Sequence, residues 1–414
     1  TATGAPDRID DETRGLPLGG AATTELAGTL HRARSCYVCK TRYREVDAFY
    51  HQLCPGCAGL NRARREARTD LTGRRALLTG GRAKIGMHIA LRLLRDGADT
   101  TITTRFPNDA ARRFAAMPDA DQWLHRLTVV GLDLRDPIQV IALADAVSAR
   151  GPLDVLVNNA AQTVRRSPGS YAALVEAERA PLPDGPRPQV LALGHVPGTH
   201  PDALTAGALT AVGPTGRLTP DDLTTLALTS GSASLARVAA GTAIDAAGLA
   251  PDLDARNSWT ARVHEVDELE LLEVQLCNVT APFVLVSRLR SALAASAARR
   301  TYVVNVSAME GQFGRAYKGA GHPHTNMAKA ALNMLTRTSA ADLLTDGIVM
   351  TSVDTGWITD ERPHPTKARL ADEGFHAPLD LVDGAARVYD PIVRGELGVD
   401  LHGLFLKDYA PSPW

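Results

Sequence analysis

The stretch HPHTNMAKAALNML, residues 322–335, combines side chains that exchange protons with a helical pattern. Its apolar residues recur at helical spacing, which predicts an amphipathic helix. Thr325 and Lys329 lie four residues apart and therefore share one face of this helix. His322 and His324 precede Lys329, and a histidine that titrates near ~6.5 is well matched to proton transfer at neutral pH. This segment is a candidate catalytic site.

A glycine-rich turn near residue 80 indicates a site for a phosphate group. The segment TGGRAKIG, residues 79–86, follows a short apolar strand pattern and begins a helical one. In that context backbone N–H groups at the start of the helix point at a pyrophosphate. LDL, residues 132–134, and NNAA, residues 158–161, also end predicted strands. Doubly wound sheets bind their ligands at the carboxyl ends of strands, so these segments are expected to meet.

The elements that must position these residues are strands and helices in alternation. From residue 75 onward short apolar strand patterns alternate with helical patterns, which predicts a parallel sheet with right-handed crossovers. The predicted fold class is therefore α/β, a doubly wound Rossmann-type sheet of about seven strands, over residues 75–414. A segment at about 161–257, rich in Pro, Gly, Ala and Asp, interrupts the alternation. It is either a lid over the active site or a surface excursion.

Four cysteines near the N-terminus have the spacing of a metal site. They form two C-x-x-C pairs, separated by fourteen residues: Cys36, Cys39, Cys54 and Cys57. Four thiolates at such spacing suit tetrahedral zinc, and a closed thiolate shell leaves no open position for chemistry. We therefore expect a structural zinc ion in a small module at residues 31–60.

The remaining N-terminal sequence and the overall composition define the boundaries. Residues 1–30 are expected to form a flexible lead, and residues 61–74 an arginine-rich connector whose helix face is solvated. A net charge of −1 over 414 residues gives no field that recruits nucleic acid. We find neither a secretory signal nor an apolar run of the ~18–20 residues that a membrane span needs. The cysteine usage favours the reducing cytoplasm.

Together these motifs resemble the short-chain dehydrogenase/reductase family over about residues 72–160 and 264–409. The resemblance implies that the glycine-rich turn holds a pyrophosphate, with Lys84 in place of a middle glycine. It implies that Asp133 and Leu134 meet the adenine, while Asn158 supports the central strands. The cofactor-binding residues implied in this way are Thr79, Gly80, Gly81, Lys84, Ile85, Gly86, Thr104, Arg105, Asp133, Leu134, Asn159, Ala160 and Lys329.

The end of the second predicted strand selects the nucleotide. An acidic residue there binds the ribose 2′-OH of NAD, whereas a nearby arginine accommodates the 2′-phosphate of NADP. Here Thr104 stands where the acid is expected, and Arg105 follows it. The sequence therefore predicts NADP(H).

The catalytic residues implied by the resemblance are only half present. The family uses Asn, Ser, Tyr and Lys, and here Asn278 and Lys329 match. The serine position falls on Ala308, with Ser307 one residue earlier, and the tyrosine position falls on Thr325. Tyrosine titrates near ~10 and an aliphatic hydroxyl near ~15.7, a difference of roughly 7 kcal/mol in proton affinity. Threonine is therefore a poor substitute for the missing acid.

Two hypotheses follow. The first is an NADP(H)-dependent oxidoreductase that acts on a small carbonyl, alcohol or enone substrate entering under the 161–257 insertion. Its proton donor would be displaced to His324 or His322. The alternative is an NADP-binding pseudoenzyme that regulates or scaffolds a partner protein through its zinc module. The resemblance also implies a homo-oligomer.

Overall fold

The computed structural model of the protein describes residues 3–5, 7–11, 16–17, 26–193, 219–229, 233–315 and 317–414. Most of the predicted flexible lead and the middle of the insertion, including 194–218, lie outside these residues.

A central sheet of nine strands organises the chain. A separate antiparallel hairpin, β1 with β2, precedes this sheet. The strands are, in chain order, β1 Leu26–Ser35, β2 Arg42–Asp47, β3 Arg75–Leu78, β4 Asp99–Thr104, β5 Leu127–Gly131, β6 Val155–Asn158, β7 Gln189–Ala192, β8 Thr301–Ser307, β9 Ile348–Asp354, β10 Phe405–Lys407 and β11 Ala410–Ser412. The sheet order is β11-β10-β9-β8-β6-β3-β4-β5-β7, and every pair is parallel except β10 with β11. The predicted doubly wound sheet is confirmed.

Helices cover both faces of this sheet. In chain order they are α1 Pro55–Glu66, α2 Lys84–Arg95, α3 Pro107–Ala115, α4 Pro137–Ala149, α5 Ala172–Arg179, α6 Pro220–Ala227, α7 Leu235–Ala239, α8 Glu268–Gln275, α9 Ala281–Ala294, α10 Pro323–Leu344, α11 His364–Asp372 and α12 Leu381–Glu396. A π-helical turn, Leu276–Thr280, joins α8 to α9.

Local sequence explains where several helices begin. Asp136 caps α4 by accepting the N–H of Ile138, and Pro137 occupies the first turn, where a missing N–H costs nothing. Asp380 and Asp383 form a reciprocal capping box at the start of α12. The continuous helix Glu268–Ala294 is long and apolar enough to cross a membrane, which the sequence analysis did not anticipate. In this fold it packs as a core helix against α4.

A chain of buried hydrogen bonds connects the middle of the sheet to α10. The Asn158 amide donates to Asn305 Oδ1 (2.8 Å), and the Asn305 amide donates to Thr336 Oγ1 (2.9 Å). Thr336 Oγ1 lies 2.8 Å from Ser352 Oγ on β9. These bonds connect three neighbouring strands with one helix, so Asn158 has the supporting role that the resemblance implied.

The N-terminal module packs directly on the sheet domain. Its apolar cluster includes Tyr50 and Leu53, which contact Ile358 and Leu379 of the main domain. Residues 7–11 of the expected flexible lead are also packed, since Arg8 is buried and bonded to the carbonyl oxygens of Ala377, Pro378 and Leu379.

The arginine-rich segment differs from the predicted solvated connector. Residues 61–66 continue α1, and the arginines of this segment face carboxylates. The pairs are Arg62 with Asp47, Arg64 with Asp390, Arg65 with Asp380, and Arg68 with Asp96. Arg64 and Arg65 pair with buried carboxylates of α12 and its N-cap, where an unpaired charge would be costly, so these two pairs fasten α1 to the sheet domain.

The described parts of the insertion extend the main domain. The strand β7 adds to the sheet beside β5, and α5 packs with Phe106 in an apolar cluster that includes Tyr171 and Leu174. The insertion is therefore partly a surface layer of the sheet domain, and its contribution to the site is described below.

Candidate active site

One large cavity opens at the carboxyl ends of the parallel strands. Its volume is about 900 Å³, and segments that follow β3, β4, β5, β6, β8 and β9 line it, together with the start of α10. Because all these segments leave the sheet at one edge, the alternation seen in the sequence brings their polar residues together.

The glycine-rich turn has the close packing that a phosphate-binding turn requires. Gly80 has φ +70°, and a Cβ there would lie 2.9 Å from the Cα of Ala160. A Cβ on Gly86 would lie 2.0 Å from the carbonyl oxygen of Gly80. Lys84 occupies the middle position with φ +52°, a left-handed conformation in which glycine would be more comfortable. The turn therefore keeps its shape despite the substitution.

Thr79 and Asn159 hold the two neighbouring turns together. Thr79 Oγ1 accepts the N–H groups of Asn159 and Ala160, and the Asn159 amide donates to the carbonyl oxygens of Thr79 and Gly80. These bonds align the ends of β3 and β6, which places the implied cofactor residues on one wall.

The two basic residues of the turn are already paired with carboxylates. Lys84 Nζ lies 2.7 Å from Asp11 Oδ2 and 3.4 Å from Asp245 Oδ2. Arg82 lies 2.6 Å from Asp109 Oδ2 and donates to the carbonyl oxygen of Ala247. Asp245 and Ala247 belong to the insertion, which therefore reaches the pyrophosphate end of the cavity. Of the lid and the surface excursion that the sequence left open, the described residues of the insertion show features of both, since Tyr171 and Ala247 line the cavity.

Arg105 lies on the cavity wall after β4, as predicted. Its guanidinium donates to the Tyr171 hydroxyl (3.2 Å) and lies 5.3 Å from the centre of that ring. Thr104 Oγ1 accepts the N–H of Phe106 and thereby shapes the turn that presents Arg105. After β5, Asp133 and Leu134 line the same cavity, and the Asp133 carboxylate is bonded to Arg135.

Asn278 lies in the π-helical turn and is bonded to the segment after β6. Its side chain accepts the N–H of Gln162 (2.7 Å) and donates to the Gln162 carbonyl oxygen (3.0 Å). Both bonds are made to backbone, so Asn278 holds two walls of the cavity together.

Lys329 is buried in the cavity wall and donates from Nζ to the Val306 carbonyl oxygen (2.8 Å). Burial lowers the pKa of Lys329 to about 8, since the charged form is poorly solvated there. Cys277, Glu310 and Asp354 oppose this shift. At neutral pH the side chain is therefore still mostly an ammonium group.

The positions that correspond to the family's serine and tyrosine supply no usable proton donor. Ser307 Oγ donates to Asn333 Oδ1 (2.6 Å), so its proton is already engaged, and Ala308 follows it on the wall. Thr325 is buried beside the cavity, and its hydroxyl has no hydrogen-bond partner among the described residues.

The two histidines of the opening segment face different surroundings. His322 lines the cavity, has φ +42°, and stacks on Trp259 with ring centres 3.8 Å apart. Its Nδ1 lies 2.8 Å from the Trp259 carbonyl oxygen. A carbonyl only accepts hydrogen bonds, so Nδ1 carries a proton and Nε2 is the acceptor in the neutral ring. Burial lowers the pKa of His322 below its usual 6.5.

His324 does not line the cavity. It is buried under the helix start, with Nε2 3.4 Å from Glu270 Oε1 on α8. The sequence indicated that both histidines would lie beside Thr325. In the structure only His322 lines the cavity, and His324, two residues later, is buried in the core.

Several cavity residues were not predicted. Trp259 closes the wall behind His322, Tyr171 comes from the insertion, and Thr359 follows β9. Lys318 lies on an exposed loop at the cavity wall. Their signal in the sequence is weak because none lies in a motif, and only the fold brings them to the site.

The four cysteines converge as their spacing predicts. Their Sγ atoms all lie within 4.8 Å of one another, and Cys39 Sγ is 3.6 Å from Cys54 Sγ. A tetrahedral zinc with bonds of about 2.3 Å separates its sulfurs by about 3.8 Å. This donor set fits a structural metal and lies away from the cavity lining.

Comparison with known proteins is consistent with this geometry. Residues 74–177 match the family model described as short chain dehydrogenase. With the sheet order and the glycine-rich turn, this match over about a quarter of the chain supports membership of the short-chain dehydrogenase/reductase family.

Individual relatives cover different parts of the chain. The uncharacterized protein R665 of Acanthamoeba polyphaga mimivirus is 28% identical over 382 residues, which are 87% of this chain and 71% of that protein. A probable oxidoreductase of Streptomyces antibioticus is 44% identical over 94 residues, 22% of this chain and only 30% of that protein. The structure of the carbonyl reductase Sniffer of D. melanogaster aligns with a TM-score of 0.50 at 16% identity, over 83% of this chain and 100% of that one. This last likeness is one of fold.

We expect one zinc ion per chain, bound by the four cysteines. Elemental analysis of the purified protein should find it, and Cys54→Ser with Cys57→Ser should remove it, since two thiolates are lost. Cys277→Ser is the matched control and should keep the metal. Metal-free wild-type protein with a normal melting transition would contradict the prediction.

Proposed function

We propose that this protein is an NADP(H)-dependent oxidoreductase that acts on a small carbonyl, alcohol or enone substrate with His322 in place of the missing tyrosine. The observation that carries the proposal is the shared wall: Lys329, Asn159 and His322 line one cavity with the glycine-rich turn. The zinc site has no part in the reaction.

The cofactor assignment rests on the residues of that wall. The turn at Gly80 and Gly86 has room only for backbone, which suits a pyrophosphate against N–H groups. Arg105 supports NADP(H) over NAD(H), because a guanidinium binds a phosphate. Thr104 stands in place of the acid, so no carboxylate at that position repels the 2′-phosphate. Lys329 would hold the nicotinamide ribose. Bound NADP(H) supplies or accepts a hydride, and the protein has to manage the proton.

His322 suits that proton transfer in one direction in particular. Its lowered pKa keeps the ring neutral at pH 7, with Nε2 as the acceptor. A neutral ring takes the proton from an alcohol, and the imidazolium formed at lower pH returns it to a carbonyl oxygen. Stacking on Trp259 and the bond to its carbonyl hold the ring in place. We therefore infer that alcohol oxidation is favoured at neutral and higher pH.

A second candidate function is the cofactor-binding pseudoenzyme, with a partner protein at the zinc module. The engaged hydroxyl of Ser307 and the isolated hydroxyl of Thr325 favour it, because neither replaces tyrosine. We also propose a homo-oligomer under both functions. Large apolar side chains exposed on the helices around the site support this: Leu269, Leu272, Phe283, Met327 and Met334.

NADPH should bind more tightly than NADH. Arg105→Ala should weaken NADPH binding by roughly tenfold to a hundredfold and leave NADH unchanged, because a charge-assisted bond contributes about 1.5–3 kcal/mol. Tyr171→Phe keeps the ring under the guanidinium but removes its hydroxyl partner, so it should cost less. Titration calorimetry that finds equal affinities for both cofactors in the wild type would refute the assignment.

The affinity for NADPH should depend on the charge of Lys329. The ammonium form dominates below its pKa of about 8, so affinity should begin to fall as the pH rises through that value. Lys329→Ala should bind more weakly at neutral pH and lose this dependence. Fluorescence titrations across the pH range measure both effects, and a flat wild-type profile would argue against a cofactor contact.

His322→Asn tests the displaced proton donor. Asparagine tolerates the left-handed backbone and places an amide donor where Nδ1 bonds to Trp259, but it has no titrating nitrogen. Turnover should fall by the ~10²–10⁴-fold of a lost general acid or base, with NADPH affinity retained.

His324→Gln and Thr325→Val are the controls for this test and should leave most of the turnover. If His322→Asn turns over like the wild type, the proton donor lies elsewhere. If a panel of carbonyls, alcohols and enones gives no hydride transfer while NADPH still binds, the pseudoenzyme is the correct function.

A further inference from the structure

We propose that Tyr37 is a positioning residue that couples the four-cysteine site to the loop Asp354–Arg362 of the active-site cavity. Tyr37 lies between Cys36 and Cys39 in the first C-x-x-C pair. The inference rests on the proposed function, since it concerns the wall of the same cavity.

The loop is bonded to the module through one backbone N–H. Trp357 donates its N–H to the Tyr37 hydroxyl (2.8 Å). Gly356, just before it, has φ +78°, and a Cβ there would lie 3.6 Å from the same hydroxyl and 2.7 Å from a methyl group of Leu379. The loop backbone thus approaches the module as closely as glycine allows.

Further contacts hold the loop between the module and the sheet. Ile358 is buried in the apolar cluster of the module. The Asp354 carboxylate accepts the N–H of Gly356 (2.8 Å), and Trp357 accepts the N–H of Leu379. From Asp354 to Arg362 the loop lines the same cavity as His322 and Lys329. A shift of the loop therefore changes the shape of the site.

Metal binding fixes the position of Tyr37. The first C-x-x-C pair lies in a short turn. In this turn Cys36 donates its N–H to the Thr41 carbonyl oxygen, and Tyr37 donates its N–H to the Gln52 carbonyl oxygen. A module this small takes much of its folding free energy from its metal. Without the metal the turn loosens, and the Tyr37 hydroxyl no longer has a fixed place beside Trp357.

Tyr37→Phe in the zinc-loaded, full-length protein tests the coupling. The variant loses only the hydroxyl, so zinc content should stay at the wild-type level. Hydrogen exchange of the peptide containing Trp357 should become about fivefold faster, which corresponds to a lost hydrogen bond of roughly 1 kcal/mol. The KM for the substrate should rise more than kcat falls, because the loop shapes the cavity and takes no proton.

Tyr43→Phe is the matched control. Its hydroxyl donates to the His51 carbonyl oxygen inside the same module and does not reach the loop. It should leave the exchange of Trp357 unchanged. A second arm strips the wild type with a chelator and then adds zinc alone, which should speed this exchange and then restore it.

The exchange readout separates the two proposals, since it needs no turnover. Unchanged exchange in Tyr37→Phe, or equal changes in both tyrosine variants, would overturn the coupling. If metal removal leaves the hydrogen exchange of the Trp357 peptide unchanged, the proposed coupling is wrong as well. A wild type without hydride transfer but with coupled exchange would instead overturn the oxidoreductase and keep the coupling.

Discussion

The buried hydrogen bonds from Asn158 through Asn305 to Thr336 hold the helix that begins at the cavity against the middle of the sheet. A polar group buried in a sheet without a partner is costly, so the three side chains have to meet in one arrangement. That arrangement fixes α10 against β6, β8 and β9. Since α10 begins at the cavity, its N-cap residue His322 and Lys329 in its second turn both line the cavity. The part of the cavity lined by the start of α10 is thus positioned by the buried core.

Much of this could be read from the sequence. The alternation of apolar strands with helical patterns has few solutions other than a parallel sheet, so Thr79, Asp133 and Asn159 were predictable neighbours. The cysteine spacing was equally informative, because two short turns must face each other to share a metal. In both cases a local pattern determines a distant contact.

Long-range ion pairs, the backbone conformation at one histidine and the contacts of the insertion could not be predicted from the sequence. Arg64 and Arg65 of α1 face carboxylates at α12 more than three hundred residues away, and a run of charged residues does not reveal its partners. The left-handed backbone at His322 decides which histidine faces the cavity, and no periodicity encodes it. The composition of the insertion left a lid and a surface excursion both open, and it did not indicate that Asp245 and Ala247 would reach the basic residues of the glycine-rich turn. There the Asp245 carboxylate pairs with Lys84, and the Ala247 carbonyl oxygen accepts a hydrogen bond from Arg82.

The two edge strands of the sheet are short, which disfavours edge-to-edge pairing between molecules. An open parallel sheet exposes unpaired N–H and C=O groups at its edges, which template pairing between molecules. Here β7 and β11 close the edges with only four and three residues, and β11 contains Pro411, which lacks an N–H. Such short edges offer little to a neighbouring strand. The insertion that supplies β7 therefore also gives this side of the sheet a short edge strand, which leaves few backbone groups for pairing with another molecule.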